Sequence, residues 1–347
     1  MYKIEIFSDQ LAYVAAAIIS APDVSLDYLT FDAFSVTVPT LACKKGYFAH
    51  ITHDAELVAD GIVSDVQPGV GTVDISLRPL QALFDVEVFA SPIPDVGTWL
   101  LEQINAQFVS NADTLQNRPV QIASKVRAAQ PITLGDEKTL NLVDIMAQAL
   151  TSYGIFLDAR LDLRAKKIMV DIVPQPAAVV LEADLDNVLD KSITLGDSYG
   201  SANKMTIRKE VTDPDTDEVS YPSSQTYYLH TDGSVDTTDA DRVTPVFWTL
   251  ADLADSETWD ADALAQAVET LTPQQYDNEI VLQYRSGDAL VHPEALQPGT
   301  PCTIYTGGVA YSSLLTAKAY SAGTVELTFG AVRVALTKQL ILDRRQR

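Results

Sequence analysis

Two short segments near opposite ends of the 347-residue chain repeat one pattern at almost the same spacing. Residues 71–77 read GTVDISL and residues 323–329 read GTVELTF, which is an offset of 252. Residues 46–51 and 299–304 also match, each as a glycine leading into a short strand, at an offset of 253. We therefore expect one β-fold to occur twice, with a copy near each end of the chain. The alternative is a chance likeness without duplication, because turn and strand composition alone can produce similar strands.

The first ninety residues carry the pattern of a small β-barrel or sandwich. Polar and apolar residues alternate over several short runs, which predicts strands with one buried face. These runs cover residues 3–7, 35–38, 47–51, 61–66 and 72–77, and the turn at 68–71 joins the last two as a hairpin. The apolar run 11–19 is too short to span a bilayer and predicts a buried strand.

The middle of the chain mixes helical and strand patterns. Two apolar stripes at helical spacing predict two helices, and Gly154 is placed to end the second one. Strands are expected at 155–161 and 167–173, forming a hairpin, so this region is typical of an α+β domain. The stripes consist of Val96, Trp99, Leu100, Ile104 and Phe108, and of Leu140, Val143, Met146, Ala147, Leu150 and Tyr153.

A third region is strongly acidic. Residues 213–262 contain thirteen Asp or Glu and one Arg, which accounts for about half of the net charge of −23. We expect strands on both sides of the loop at 213–218. A helix is expected over 261–271, capped by Asp260 and stopped by Pro273. Its apolar stripe is expected to be Leu264, Ala267, Val268 and Leu271.

The charge balance excludes several function classes. With 47 acidic and 24 basic residues, the surface repels phosphate, so stable nucleic-acid binding is not expected. It also repels anionic membranes. The two cysteines, Cys43 and Cys302, are too few for a disulfide framework and suit a reducing cytosol.

Motifs for catalysis or for metal binding are missing from the sequence, so we predict no catalytic, cofactor-binding or metal-binding residue and no enzyme activity. There is no nucleophile elbow, no phosphate-binding loop with lysine and no His-Glu-x-x-His helix. His50 and His53 are three apart in a strand and should point to opposite faces. The other two histidines are His230 and His292, and neither cysteine has a neighbouring Cys or His at ligand spacing.

The acidic loop at 213–218 does not form a calcium-binding EF-hand. Glu218 stands where that loop needs glycine, and Ser224 stands where it needs glutamate. A solvated hairpin tip is the simpler expectation, as it is for the second acidic stretch at 232–241. The terminal arginines are either a frayed end or a hook for an acidic partner: Arg344, Arg345 and Arg347.

The order of these elements resembles the baseplate hub proteins of tailed phages, including the amino-terminal hub portion of tail-associated lysins and the related Gp37-like tail proteins. The likeness runs over nearly the whole chain through diffuse patterns. The segments that carry it are 36–39 with 45–51, 60–65, 97–101, 140–157, 203–207 and 325–330.

This resemblance implies a mostly β, α+β fold with two similar small β-barrels and inserted α/β domains. The first barrel would cover 1–90 and an α/β middle domain 91–200. The second barrel would combine 201–211 with 273–347, interrupted by an acidic α/β insertion at 212–272.

It also implies a structural role in the virion. Such hubs are homotrimers whose six barrels form a ring that adapts or closes the tail tube and gates DNA passage. The implied partners are a distal tail protein or tail tube protein, the tape measure protein and a central fibre or receptor-binding protein. Localisation would be the tail tip or baseplate, after assembly in the host cytoplasm. The lysins continue into a lytic domain, whereas this sequence ends at Arg347, which predicts a hub without one.

Two other functions stay open. One is a carbohydrate-binding adhesin at a tail tip, which would expose aromatic residues of the third region, although the favoured interpretation of these residues is local core. The other is a cell-wall hydrolase. The aromatic candidates are Tyr227, Tyr228, Phe247, Trp248 and Trp259.

Overall fold

The computed structural model describes residues 1–123, 130–132, 138–195, 202–214, 216, 218–230, 234–244, 246–271, 276–321 and 323–331. It is a mostly β, α+β structure, as the sequence predicts. The chain divides into a larger unit, Met1–Thr194 with Asn278–Arg347, and a smaller unit, Leu195–Asp277. Among the described residues, no helix is both long and apolar enough to cross a membrane.

The amino-terminal region forms a six-stranded antiparallel sheet in the order β2-β1-β5-β6-β7-β4. Its alternating strands turn one face inward, where side chains such as Ile4, Ile51 and Ile75 are fully buried. The strands are β1 (Tyr2–Phe7), β2 (Tyr13–Ile19), β3 (Val24–Asp27), β4 (Phe34–Pro39), β5 (Phe48–His53), β6 (Glu56–Pro68) and β7 (Thr72–Pro79), of which β3 pairs elsewhere.

One strand differs from its predicted burial. The apolar run at 11–19 forms β2, but among the described strands β2 pairs with β1 alone, at the edge of the sheet, and most of its residues are exposed or half-buried. Tyr13 and Ile18 are 61% and 51% exposed. Periodicity alone does not show whether an apolar strand is central or at an edge.

The predicted helices and hairpin of the middle region are all present. The second helix ends at Gly154, which adopts the left-handed conformation expected of a helix stop (φ +61°). The first helix is capped at its amino-terminal end by Asp95, whose carboxylate accepts the Thr98 N–H. The elements are a 3₁₀ helix (Leu80–Phe84), β8 (Glu87–Phe89), α1 (Val96–Phe108), β9 (Val120–Ile122), β10 (Thr139–Asn141), α2 (Leu142–Tyr153), β11 (Phe156–Asp162) and β12 (Lys167–Val173).

Two further strands, β13 (Val179–Glu182) and β14 (Val188–Leu195), precede the smaller unit. The smaller unit contains a four-stranded sheet in the order β17-β16-β15-β18, with β15 and β18 parallel. One face of this sheet packs against a helix. Its elements are β15 (Lys204–Thr212), β16 (Val219–Leu229), β17 (Val235–Asp236), β18 (Trp248–Ala254) and α3 (Trp259–Leu271).

One expectation for the strands of this region needs correction. The segment at 203–207, expected to re-enter the second barrel, lies in β15 and pairs with β16 and β18. Its inward side chains, Met205 and Ile207, are buried against α3 rather than against a barrel strand. The strands expected on both sides of the loop at 213–218 are present as β15 and β16.

The helix itself also differs from its prediction. It begins at Trp259, so Asp260 lies in the first turn instead of capping it. Its buried face carries Ala263, Ala267 and Leu271, while Leu264 and Val268 are each 41% exposed. The packed face therefore centres on Ala263 and Ala267, each one residue before the predicted Leu264 and Val268.

The carboxy-terminal strands form the second large sheet, in the order β13-β20-β21-β22-β19-β14, with β3 also paired to β21. Both β13 and β14 belong to this sheet, although the expected middle domain extended to residue 200. The smaller unit lies between β14 and β19 in the chain. The remaining strands are β19 (Asn278–Arg285), β20 (Pro301–Thr306), β21 (Val309–Ser321) and β22 (Thr324–Phe329).

Candidate assembly site

The repeated sequence segments occupy matching places in the two large sheets. Strands β5-β6-β7-β4, which we name the first quartet, follow the same order as β20-β21-β22-β19, the second quartet. Every neighbouring pair in both quartets is antiparallel. The inward side chains of the two repeated strands are all buried, as the repeat predicts: Val73, Ile75 and Leu77 in β7, and Val325, Leu327 and Phe329 in β22.

A glycine corner precedes β5 in the first quartet. Gly46 has φ +83°, a conformation that favours glycine. Its N–H donates to the carbonyl oxygen of Val63 (2.8 Å), and the Val63 N–H donates to Tyr47 O (2.8 Å). Tyr47 N–H in turn donates to Lys44 O (3.1 Å). The corner therefore ties the entrance of β5 to the middle of β6.

The second quartet has the same corner. Gly299 also has φ +83°, and its N–H donates to Leu315 O (2.9 Å). Leu315 N–H donates to Thr300 O (3.0 Å), and Thr300 N–H donates to Gln297 O (3.1 Å). Each of the three hydrogen bonds has its counterpart around Gly46. Strand composition alone does not require this shared network, so it supports a true structural repeat.

A bulge also recurs at the same position. The pairing of β6 with β7 shifts register at Val63, and the pairing of β21 with β22 shifts at Leu315. Each bulge begins eight residues before the turn glycine, Gly71 or Gly323, and both of these glycines have positive φ. Bulges are specific features that re-aim a strand. Their recurrence fixes the residue-by-residue alignment of β6 with β21.

The two quartets are joined inside the chain by β3. This strand leaves the first sheet and pairs antiparallel with β21, from Val24 opposite Tyr320 to Asp27 opposite Ala317. Tyr28 N–H extends the pairing by donating to Thr316 O (3.1 Å). We name this contact the seam. Because β3 adds its main chain to an open strand edge, the seam is a β-addition within one molecule.

The buried face of the seam contains a lysine side chain. Lys318 is 6% exposed, and its Nζ donates to the Glu294 carbonyl oxygen (2.8 Å). Burial lowers the pKa of Lys318 to about 8, and the Glu294 charge opposes this shift only in part. Burial also raises the pKa of Tyr320 to about 12 and that of Tyr28 further still. These shifts follow from the loss of water around charged forms.

A second polar link joins the first quartet to the β11–β12 hairpin. His50 Nδ1 lies 2.7 Å from Asp60 Oδ1, and the other carboxylate oxygen of Asp60 accepts the Leu161 N–H (2.8 Å). Burial raises the pKa of nearby Asp158; the Arg160 charge opposes this shift, and the charges of Asp171 and Asp60 add to it. Each group in this link has a structural partner, so the arrangement positions the hairpin on the sheet.

The other candidate residues lie apart from one another. His53 stacks on Tyr2, with ring centroids 4.2 Å apart, on the face of β5 opposite His50. His230 contacts Asp236 in the smaller unit (Nε2 to Oδ1, 3.0 Å). Burial raises the pKa of both thiols, that of Cys302 to about 12, so each disfavours the reactive thiolate. Across the described part of the chain, no three His, Cys, Asp or Glu side chains form a group able to hold a metal ion.

The aromatic residues of the third region divide between core and surface. Tyr227 and Trp259 are buried between the sheet and α3, as a local core would require. Phe247 and Trp248 are 48% and 72% exposed, so core packing does not account for them. Tyr228 lies beside two cations, Lys204 and Arg242, on the open face of the sheet. Three acidic residues of the loops, Asp215, Asp217 and Asp232, and the terminal Arg344, Arg345 and Arg347 fall outside the described residues.

The seam is the feature that the sequence analysis missed. Its signal was a single lysine, Lys318, inside the otherwise weakly polar run at 314–320. A lysine in such a run indicates either an edge or a buried cation with a specific acceptor. Nothing in the local pattern of β3 showed that its partner would come from the other end of the chain.

No protein-family profile and no curated protein sequence matches this chain. Solved structures do match. In the phage P2 baseplate in its activated conformation, one chain aligns at a TM-score of 0.60 and 10% identity, covering 95% of this chain and 98% of that one. The 43 kDa tail protein of prophage MuSo2 from Shewanella oneidensis aligns at 0.54 and 12%, covering 95% and 99%. The protein thus has the fold of phage baseplate and tail proteins, in agreement with the resemblance seen in its sequence.

Proposed function

We propose that this protein is a structural baseplate hub of a phage tail tip or related injection particle. The observation that carries the proposal is the repeated quartet, with its matching glycine corners and bulges. The shared fold with phage baseplate and tail proteins supports it over nearly the full length of the chain.

The repeat suggests how such a hub would be built. Three copies, each carrying two similar quartets, would form a closed ring of six similar units. A ring of this kind meets a six-fold tail tube with matching contacts at each position. Each contact joins unlike faces, second quartet to first, and rotation closes the ring. A homotrimer that adapts or closes the tube is therefore the proposed assembly.

The acidic charge suits the passage of DNA. A net charge of −23 disfavours the release of counterions by which proteins hold nucleic acid. In the proposed ring, Asp and Glu line the pore, so that DNA slides through without being retained. This is a gating role without enzymatic chemistry.

The proposed partners follow from that position. The ring would contact the distal tail protein or the tail tube on one side. It would meet the tape measure protein within the lumen and a central fibre or receptor-binding protein beyond it. The protein would be made in the host cytoplasm and end in the virion tail tip.

Native mass spectrometry tests the assembly directly, on the purified chain alone and after mixing with its tail tube protein. A trimer of about 113 kDa, three times the 37.7 kDa chain, is expected in at least one of the two samples. A stable dimer, or a monomer in both samples at concentrations up to about 100 µM, would contradict the proposal.

The exposed aromatic residues support a second candidate, a carbohydrate-binding surface on the smaller unit. Trp248, Lys204 and Tyr228 lie side by side in register across β18, β15 and β16. Aromatic faces beside polar groups suit sugar rings. A glycan-array screen of the chain and of Trp248→Ala tests this: binding lost in the variant supports an adhesin, and no binding by either contradicts it.

A further inference from the structure

One strand edge in the first quartet is open where its counterpart in the second quartet is filled. The shared bulge and turn align Asp65–Pro68 of β6 with Ala317–Tyr320 of β21. On β21 this stretch is covered by β3, and both Ala317 and Lys318 are buried. On β6 the described residues supply no strand on that side, and Asp65 is exposed.

The hairpin fixes which backbone groups point to the open side. Gly69 N–H donates to Thr72 O (2.9 Å), and from there the β6–β7 ladder alternates between bonded and non-bonded pairs. Val66 opposite Ile75 is a non-bonded pair in this alternation. The N–H and C=O of Val66 therefore point away from β7, toward the open edge. Pro68, opposite Val73, is also a non-bonded pair, but proline has no N–H. Val66 is therefore the residue of this stretch whose N–H points to the open edge.

The surrounding side chains suit an edge that is exposed before assembly. The Asp65 carboxylate accepts hydrogen bonds from the Gln67 side chain (3.0 Å) and from the Val66 N–H, which keep its pKa below the usual range. The outward Val66 N–H is therefore bonded to its neighbour's exposed side chain in the single chain, and an added strand would take the place of that carboxylate. A charge and a proline on an open strand protect it against uncontrolled pairing. The Val66 side chain is half-buried against the first-sheet core, so the edge is held in strand form.

Chain order indicates which strand would fill this edge. In the first half, β3 is the strand immediately before the quartet. In the second half, β14 is the strand of the larger unit immediately before the quartet, with the smaller unit inserted between them. It lies at the end of its sheet, and six of its eight residues are exposed, including Leu189 and Leu195. Lys191 anchors it by donating to Thr306 (3.0 Å) and pairing with Asp184.

We propose that β6 of one copy accepts β14 of a second copy, at the open edge Asp65–Pro68. This repeats between molecules the β-addition that β3 makes within one molecule. The inference rests on the proposed ring, since only a closed ring of alternating quartets gives every first quartet a second quartet as its neighbour. It specifies the contact that closes that ring.

Val66→Pro removes the outward N–H while leaving the bonded pairs of the β6–β7 ladder intact, and Val66→Thr keeps both the N–H and the β-branched shape. Sedimentation velocity measures the trimer fraction of each variant over a range of protein concentrations. Tail tube protein is added if assembly requires it. We expect the midpoint of trimer assembly to rise at least tenfold for Val66→Pro and to stay within twofold for Val66→Thr. Circular dichroism and thermal unfolding of the monomer confirm that each variant is folded.

Hydrogen exchange of the wild-type protein provides an independent measurement should Val66→Pro fail to fold. The amides of Val66 and of β14 are expected to gain protection in the trimer relative to the monomer. A trimer in which Val66→Pro assembles normally, or in which these amides gain nothing, overturns the edge contact and leaves the ring intact. Protection of Val66 already in the monomer shows that the chain covers this edge itself, which also overturns the contact. A wild-type protein that never forms a trimer overturns both proposals.

Discussion

The two quartets share a backbone but differ in what surrounds it. Both contain the glycine corner, the bulge and the buried alternating strand. The outer face of the first quartet is linked to the β11–β12 hairpin through His50 and Asp60. The second quartet is instead flanked by β13, β14 and the incoming β3. The difference indicates that corner, bulge and alternation define the repeated unit, while the flanking strands adapt each copy to its neighbours.

The interiors differ in polarity as well. Val38 of the first quartet corresponds to Tyr284 of the second, since each lies opposite the first valine of its repeated strand. Tyr284 is fully buried, and its hydroxyl has no hydrogen-bond partner within the described residues. The second core therefore contains an uncompensated polar group that the first one lacks.

The largest effect is expected from a charge in either repeated strand. Leu77→Asp and Phe329→Asp each place a carboxylate in a dry core, and each should destabilise the fold by more than about 4 kcal/mol. Thermal unfolding or the loss of soluble protein measures this. Val70→Asp at the fully exposed hairpin tip is the control and should change stability by less than about 0.5 kcal/mol. A small loss of stability at one strand and a severe loss at the other would show that β7 and β22 are not structurally equivalent.

The two glycine corners should differ in their tolerance of a side chain. Both adopt φ +83°, so an alanine costs about 1–2 kcal/mol at either corner. At Gly46 the added Cβ meets open space, whereas at Gly299 it would overlap the carbonyl oxygen of Gly154. Denaturant unfolding should therefore show Gly299→Ala to be more damaging than Gly46→Ala by at least about 1 kcal/mol. Equal losses would show that the packing around Gly299 relaxes freely.

The seam lysine should make stability depend on pH. Burial lowers the pKa of Lys318 to about 8 from 10.5, so the unfolded state binds more protons between these values. The free-energy cost of burying the charged Lys318 is fully present below pH 8 and disappears as pH rises toward 10.5. Relative to Lys318→Met, the wild type should gain up to about 3 kcal/mol across this window. The comparison between the two proteins cancels the titration of Tyr28 and Tyr320. A constant difference from pH 7 to 10.5 would contradict the burial of Lys318 in the seam.

The smallest effect is expected from the buried tyrosine of the second quartet. Tyr284→Phe removes the hydroxyl without changing the ring, so stability should stay the same or rise by up to about 1 kcal/mol. Burial also raises the Tyr284 pKa to about 12, as it does for Tyr320, so Tyr284→Phe should remove one of the late-titrating tyrosines from an alkaline titration followed by ultraviolet absorbance. A loss above 1 kcal/mol would indicate a hydrogen-bond partner for the hydroxyl.

Local patterns were enough to predict much of the fold. The stripe of α1, the Gly154 stop and the β11–β12 hairpin were confirmed, because each depends on residues close together in the chain. The stripe of α2 was confirmed except for Leu140, which lies in β10 because the helix begins only at Leu142. The repeated strands were identified because each combines a turn glycine with a strict alternation of polar and apolar residues, and both can be recognised in the sequence. The helix α3 was placed two residues late: it begins at Trp259, and its first turn is held by Thr258, whose carbonyl oxygen accepts the Ala261 and Asp262 N–H groups and whose hydroxyl donates to Asp262.

Long-range pairings were not predictable from the sequence. The capture of β3 by β21, the membership of β13 and β14 in the second sheet and the place of β15 in the smaller unit all depend on segments far apart in the chain. A strand's alternation shows which face is buried but not which partner buries it. The edge position of β2 was missed for the same reason. The polar link from His50 through Asp60 to Leu161 likewise forms only in the folded chain.

Three copies of the chain, each contributing two quartets, are proposed to form one ring around a pore. Cryo-electron microscopy of the assembled particle tests it most directly, because it shows the number of quartets, their contacts and the side chains that line the pore. The account predicts six quartets in alternating order, with Asp and Glu predominating at the lumen. A dimeric assembly, a ring in which first quartets contact only first quartets, or a pore lined mainly by Lys and Arg would contradict it.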